Sequence, residues 1–187
     1  MRARWGLAAM AAAAVLAGGL ANAADDALLP SGWTTTVRGA EGEDVVVGNL
    51  QVHVHGATAS TRVDDLDGPL TSPGLFVAVD LSYATTDAWA TPEVIVLIDG
   101  DGREYSDPSN LGLSGSTWLA GPDIWFRGDL LFEVPADAVT SSLTLEIRPE
   151  TAVAVLPSTI GQIPLTVTRA EDPLEIGSDT LLAEGER

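Results

Sequence analysis

A chain of 187 residues with no cysteine, no lysine and 27 acidic side chains against nine arginines excludes several classes of protein at once. Without cysteine there is no disulfide framework, no thiol nucleophile and no acylated cysteine to anchor a lipoprotein. A formal charge of −18 with no basic cluster offers nothing to a nucleic-acid backbone or an anionic lipid surface, because no group of cations is present to displace their counterions.

The chain opens MRARWGLAAMAAAAVLAGGLANA. Arg2 and Arg4 form a basic start, an apolar run follows from Trp5 to Leu20, and Ala21-Asn22-Ala23 ends it with small residues. This order predicts a secretory signal peptide over residues 1–23, cleaved after Ala23. The alternative is an N-terminal membrane anchor, for which the run falls short of the roughly 20 apolar residues a span requires. Cleavage leaves seven arginines against 27 acids, a net charge of −20. The expected location is therefore secreted or extracytoplasmic, with no stable membrane insertion after cleavage. Residues 24–44 read as a linker, with Pro30 and several acids, in which Gly32–Val37 can add a short edge strand.

From Val45 onward apolar residues recur at every second position, the period of a half-buried strand. Leu50, Val52 and Val54 fall on one face and Gln51, His53 and His55 on the other. Leu75, Val77, Val79, Leu81 and Tyr83 form the next apolar face, after a DGPLTSPG stretch read as the connection between strands. PEVIVLID, from Pro92, is nearly all apolar and predicts a strand buried on both faces. Further alternating sets are Leu130, Phe132, Val134; then Leu143, Leu145, Ile147; then Ile163, Leu165, Val167. Pro164 lies within the last run and predicts an edge strand, since proline cannot donate to a ladder. PADAVTSS predicts one helical turn, and no stretch after residue 23 sustains a 3.6-residue period. About seven strands separated by Gly, Pro, Asp and Ser predict an all-β antiparallel β-sandwich over residues 45–169, with a closed barrel as the alternative. Residues 170–187 are acidic, lack alternation and read as a flexible tail.

Four segments occur in a recognisable order: VHVHGAT, GLFVAVDLSYATTDA, LIDGDGREY and LAGPDIWFRGDLLFEVP. Together they resemble a family of secreted bacterial immunoglobulin-like domains of unknown function, in the superfamily of a mycobacterial immunoprotective extracellular antigen. The resemblance spans residues 45–168, with Phe76–Ser82, Asp99–Tyr105 and Gly121–Pro135 as the matching motifs. It implies an immunoglobulin-like sandwich and supplies no catalytic residues. Many members carry a lipid anchor, which this chain lacks the cysteine to attach.

Candidate sites are few. In LIDGDGREY, a calcium loop counted from Asp99 would place Arg103 and Glu104 where an oxygen ligand and a glycine belong, so the segment reads as a hairpin with Gly100 and Gly102 at positive φ. The Asp64–Asp67 loop and the Asp99–Asp101 loop, if they converge at one end of the sandwich, supply carboxylates for a hard cation. His53 and His55, two apart on a strand, share a face and have the spacing of a two-histidine chelate. Alternation alone also explains them as solvent-facing residues. Leu156–Gly161 is similar to a cell-wall sorting signal but is followed by neither an apolar segment nor a basic tail. Of the tryptophans, Trp125 reads as core or rim, whereas Trp89 and Trp118 lie in loop-like stretches and read as surface. A Ser-His-Asp set would depend on His53 or His55 and has no nucleophile elbow nearby. No catalytic residue, metal site or cofactor is assigned. The expectation is a non-enzymatic exported immunoglobulin-like module that binds an extracytoplasmic protein or ligand and no nucleic acid. The alternative is an extracytoplasmic divalent-cation-binding protein.

Overall fold

Two-residue alternation folds this chain into stacked sheets. The computed structural model describes residues 34–65, 68–89, 92–106, 120–140, 142–149, 158–176 and 179–187. The first strands are β1 (Thr34–Arg38), β2 (Asp44–Val47), β3 (Leu50–Asp65) and β4 (Gly68–Thr85). β5 (Pro92–Ile98), β6 (Glu104–Ser106) and β7 (Phe126–Val134) follow, then a single 3-10 turn at Ala138–Thr140. The chain finishes with β8 (Leu143–Pro149), β9 (Ser158–Leu165), β10 (Val167–Arg169), β11 (Leu174–Glu175) and β12 (Thr180–Leu181). Contacts divide the chain into a unit of Thr36–Val153 with Thr159–Arg187, which makes up the sandwich, and a second of Met1–Thr35 with Ala154–Ser158.

One sheet runs β1-β9-β8-β5-β6 and the other β10-β3-β4-β7-β12, with β2 and β11 also on β3. Within them, β3-β4-β7 stands against β6-β5-β8-β9. This is the immunoglobulin-like order, strands A-B-E opposed to C′-C-F-G, and it accounts for the seven strands expected from the pattern. The pairings β3–β4, β4–β7, β5–β6, β5–β8 and β8–β9 are all antiparallel. The core lies between the sheets. Leu50, Val52 and Val54 of β3, Leu81 of β4 and Phe132 of β7 meet Leu97, Leu145, Ile147 and Ile163 of the opposing sheet. Each such side chain removed from water stabilises the fold by roughly 1.5–3 kcal/mol. In β5 the neighbours Val96 and Leu97 are both buried, whereas Val94, Ile95 and Ile98 are half-buried, so burial on both faces is confined to the middle of the strand.

The remaining strands show where the pattern misled. DGPLTSPG is no connection from Gly68 onward: it is the first part of β4, paired from Gly68↔Asp65 to Thr71↔Arg62. The ladder breaks between Ser60 and Arg62, opposite the Ser72–Leu75 stretch, where Pro73 has no N–H to give. The run read as one strand around Pro164 is two. β9 pairs with β8, and after Thr166 β10 crosses to lie parallel to β3, with Val167 opposite Ala57. Nor is β9 an edge, since β1 flanks its other side. β1 itself is the short edge strand expected near Gly32–Val37, and it lies ahead of residue 45, from which the alternation predicts the sandwich.

Beyond residue 169 the chain pairs again. β11 lies parallel to β3, with Leu174 opposite Val63, and β12 lies antiparallel to β7, with Leu181 opposite Phe126. Leu174 joins Val63, Phe76, Ala78 and Leu131 in a second apolar cluster on the outer face of the seven-stranded sheet, flanked by Leu70, Ala170 and Ile176. The stretch read as a flexible tail therefore carries part of the sandwich. Along its outer edge β3 is covered in relay, by β2 at Leu50–His53, β10 at Ala57–Ala59 and β11 at Val63–Asp64. Such cover removes the long open edge that a 16-residue strand would otherwise present for aggregation.

Candidate functional site

The acidic hairpin Asp99–Arg103 is closed on itself. Asp99 is buried, and its Oδ1 accepts from the backbone N–H of Asp101 at 2.9 Å and of Arg103 at 3.0 Å. Its Oδ2 accepts from Arg103 Nε at 2.6 Å and from the Tyr105 hydroxyl at 2.7 Å. Burial raises its pKa, but the hydrogen bonds from Tyr105, Arg103 and Asp101 outweigh burial and hold it at about 2. Burial and the bond to Asp99 push Tyr105 up to about 12. Both oxygens are committed to protein donors, so the carboxylate is a hairpin clamp. Gly102 takes positive φ (81°) and Gly100 does not, which corrects the expectation that both would. Arg103 also reaches Asp137 at 3.0 Å, which ties the hairpin to the turn before β8.

Of the Asp64–Asp67 loop, Asp64 pairs opposite Pro69 and Asp65 opposite Gly68, while Leu66 and Asp67 lie outside the described residues. Among the described residues no three His, Cys, Asp or Glu side chains are grouped closely enough to hold a metal ion.

His53 and His55 both stand on the outer face of the seven-stranded sheet, as alternation required, with ring centroids 4.8 Å apart. Each has a separate partner. His53 Nδ1 lies 2.8 Å from Asp44 Oδ1 on β2, and His55 Nε2 lies 2.8 Å from Ser82 Oγ on β4. The register of β3 slips between Val54 and Gly56, which makes His55 the extra residue of a bulge. Parity then changes: Leu50, Val52 and Val54 point inward before the bulge, Ala57 and Ala59 after it. A bulge bends the strand and re-aims its side chain. His55 faces an open cleft of about 670 Å³, lined also by Thr58, Asp80, Asp129, Thr168 and Glu175. Burial, with Arg127 nearby, lowers the pKa of His55 against the opposing pull of Asp80. Arg127 is itself held by Asp80 through Nε at 2.8 Å.

Ser82 was missed in the sequence, although Ser82 on β4 stands outward between Leu81 and Tyr83 as alternation would have indicated. The Ser82–His55 contact has the donor and acceptor of a nucleophile–base pair, but Ser82 is completely buried and gives a substrate no approach.

At one end of the sandwich the chain leaves β4 and later re-enters at β7. Here Trp89 is 66% exposed and Ile124 is 45% exposed, as expected for Trp89. Both lie over Gly121, where a Cβ would stand 3.3 Å from the Trp89 ring and 3.4 Å from Ile124 Cδ1. Trp125 is buried, in keeping with its reading as core or rim. Trp33 and Trp118 lie outside the described residues, as does the predicted signal cleavage site. Beneath Trp89 and Ile124 the backbone is tied down. Thr85 O accepts from Gln51 Nε2 at 2.8 Å and from Asp123 N–H at 2.9 Å, and Gln51 Nε2 also reaches Asp123 Oδ1 at 3.1 Å. Asp123 sits at φ 54°, the left-handed region that Asp tolerates better than most residues.

The strand order and the two-sheet core define an immunoglobulin-like β-sandwich. No family model and no curated protein matches the chain. Among solved structures it is similar to an uncharacterized β-sandwich protein from Clostridium difficile 630, at 12% identity and a TM-score of 0.45, over 71% of this chain and 96% of that one. Among the described residues no helix is long and apolar enough to cross a membrane.

Proposed function

We propose that this chain is an exported, non-enzymatic immunoglobulin-like module that binds a protein or other ligand outside the cytoplasm. The observation that carries this reading is the pair of exposed apolar side chains, Trp89 and Ile124, seated over Gly121. Binding energy concentrates in large rigid anchors set on a fixed base, and tryptophan is prominent among them. Hydrogen bonds through Thr85, Gln51 and Asp123 supply the fixed base. Loops at the ends of a sandwich are where such folds carry recognition. Export is supported by the N-terminal run to Ala23, and the family of secreted immunoglobulin-like domains by the motifs within residues 45–168. A non-enzymatic role is supported by the inaccessible Ser82 and by the full engagement of Asp99.

Capture from the native cell envelope on immobilised wild-type chain and on Trp89→Ala tests the reading. A partner retained by the wild type and lost by the variant, with both melting at the same temperature, is the expected result. Equal capture by both would remove the Trp89 surface from the account. Sequencing the N-terminus of the exported chain tests export separately: it should begin at Ala24.

A further inference from the structure

β12 is a short strand with an unusual hold. Thr180 lies opposite Arg127 and Leu181 opposite Phe126, so it covers two residues of the nine in β7. Apolar burial does not keep it there, for Leu181 is 61% exposed. Directed polar contacts do. Asp179 accepts from the Tyr83 hydroxyl, in space that exists because residue 128 is glycine: a Cβ there would collide with Asp179 Oδ1. The Leu182 N–H donates to Trp125 O at 2.9 Å. The Arg187 guanidinium lies 4.0 Å over the Trp125 ring, and its Nε donates to Asp44 Oδ2 at 2.9 Å.

A sheet edge is a template for any extended segment, and strand addition draws its affinity from main-chain bonds and its specificity from side-chain seats. Here the edge has two built seats. One is the Gly128–Tyr83 notch, which takes a carboxylate. The other is the Trp125 face beside Asp44, which takes a cation. We propose that the β7 edge starting at Phe126 is a strand-addition site for a partner segment bearing a carboxylate and, eight positions later, an arginine or lysine. Residues 179–187 have that spacing and are the resident occupant, which such a partner displaces. Neither seat uses Trp89 or Ile124, and the inference does not depend on the function proposed above.

A fluorescently labelled peptide of the sequence Asp179–Arg187, DTLLAEGER, is the probe. Its anisotropy is measured on the full chain and on variants whose folding is checked by circular dichroism. On wild type the resident segment competes, and binding is weak. Arg187→Ala loosens the resident and leaves both seats intact, so the peptide should bind about tenfold more tightly. Adding Gly128→Ala to Arg187→Ala closes the carboxylate notch and should abolish that gain. If the glycine variant does not fold, Tyr83→Phe takes its place, removes the donor of the notch and should weaken the peptide severalfold. A scrambled peptide of the same composition should not bind. Trp89→Ala should leave peptide binding unchanged, so failure here is separable from failure of the Trp89 surface. Unchanged affinity on Arg187→Ala, undiminished binding when the notch is altered, or equal binding of the scrambled peptide would each overturn the proposal.

Discussion

On its inner face the seven-stranded sheet buries Leu81, Phe132 and Val134 against the opposing sheet, whereas on its outer face Phe76, Ala78 and Leu131 are clustered with Leu174 from the returning C-terminal segment. The inner face belongs to an architecture in which each strand contributes every second residue. The outer face has its buried apolar cluster around Phe76 and Leu131, and the cover for it comes from a segment more than 90 residues away in the chain from Phe76. One face is thus written as a local period, and the other depends on where the chain returns.

Breaking each face in turn tests this difference. The largest effect is expected for Phe132→Ala, which empties a fully buried site between the sheets and should cost roughly 3–5 kcal/mol in chemical denaturation. Next comes Leu174→Ala, which should cost about 2 kcal/mol, the lower end for a buried leucine at the rim of a small cluster. A segment that did not pack would show no change. Because Leu174 and Leu131 belong to one cluster, Leu131→Ala should reduce the further loss caused by Leu174→Ala in a double-mutant cycle.

The inner face was legible for this physical reason. Leu50, Val52, Val54, Leu75, Val77, Val79, Leu81, Leu130, Phe132 and Ile163 all stand where period two placed them. Legibility ended where a residue's role was set by distant chain. The bulge at His55 shifts the inward set to Ala57 and Ala59, and alanine is too weak a hydrophobic marker to announce the shift. At Thr166 the chain passes from one sheet to the other without interrupting the alternation, so Val167 looked like a continuation of Leu165. Leu174 and Ile176 sat isolated among acids and gave no periodic signal. Of the candidate sites, the exposure of Trp89 followed from its loop-like surroundings, but its neighbour Ile124 and the glycine beneath them did not. Ile124 precedes a strand and reads as part of it.

A pH experiment sharpens the contrast between built contacts and solvated acids. Asp99, whose two oxygens accept four hydrogen bonds, is held at about 2 against 3.8. A carboxylate with a lowered folded pKa stabilises the fold fully above the unfolded value and loses that contribution as pH falls through the folded one. The melting temperature should therefore decline between about pH 4 and pH 2, and Asp99→Asn should flatten part of that decline while lowering the midpoint at neutral pH. A variant curve parallel to wild type would assign the acid sensitivity elsewhere. The smallest effect is expected for Trp89→Ala, whose exposed ring should leave stability within about 0.5 kcal/mol of wild type.

Hydrogen exchange read by mass spectrometry goes most directly to the central claim, that residues 170–176 complete the sandwich. The Ala170 N–H is bonded to Ala59 O at 2.9 Å, and Leu174 and Glu175 pair with β3. Peptides spanning this stretch should exchange as slowly as those of β3 itself and lose protection together with them in denaturant. Exchange at the rate of a free chain, while β3 stays protected, would contradict the account.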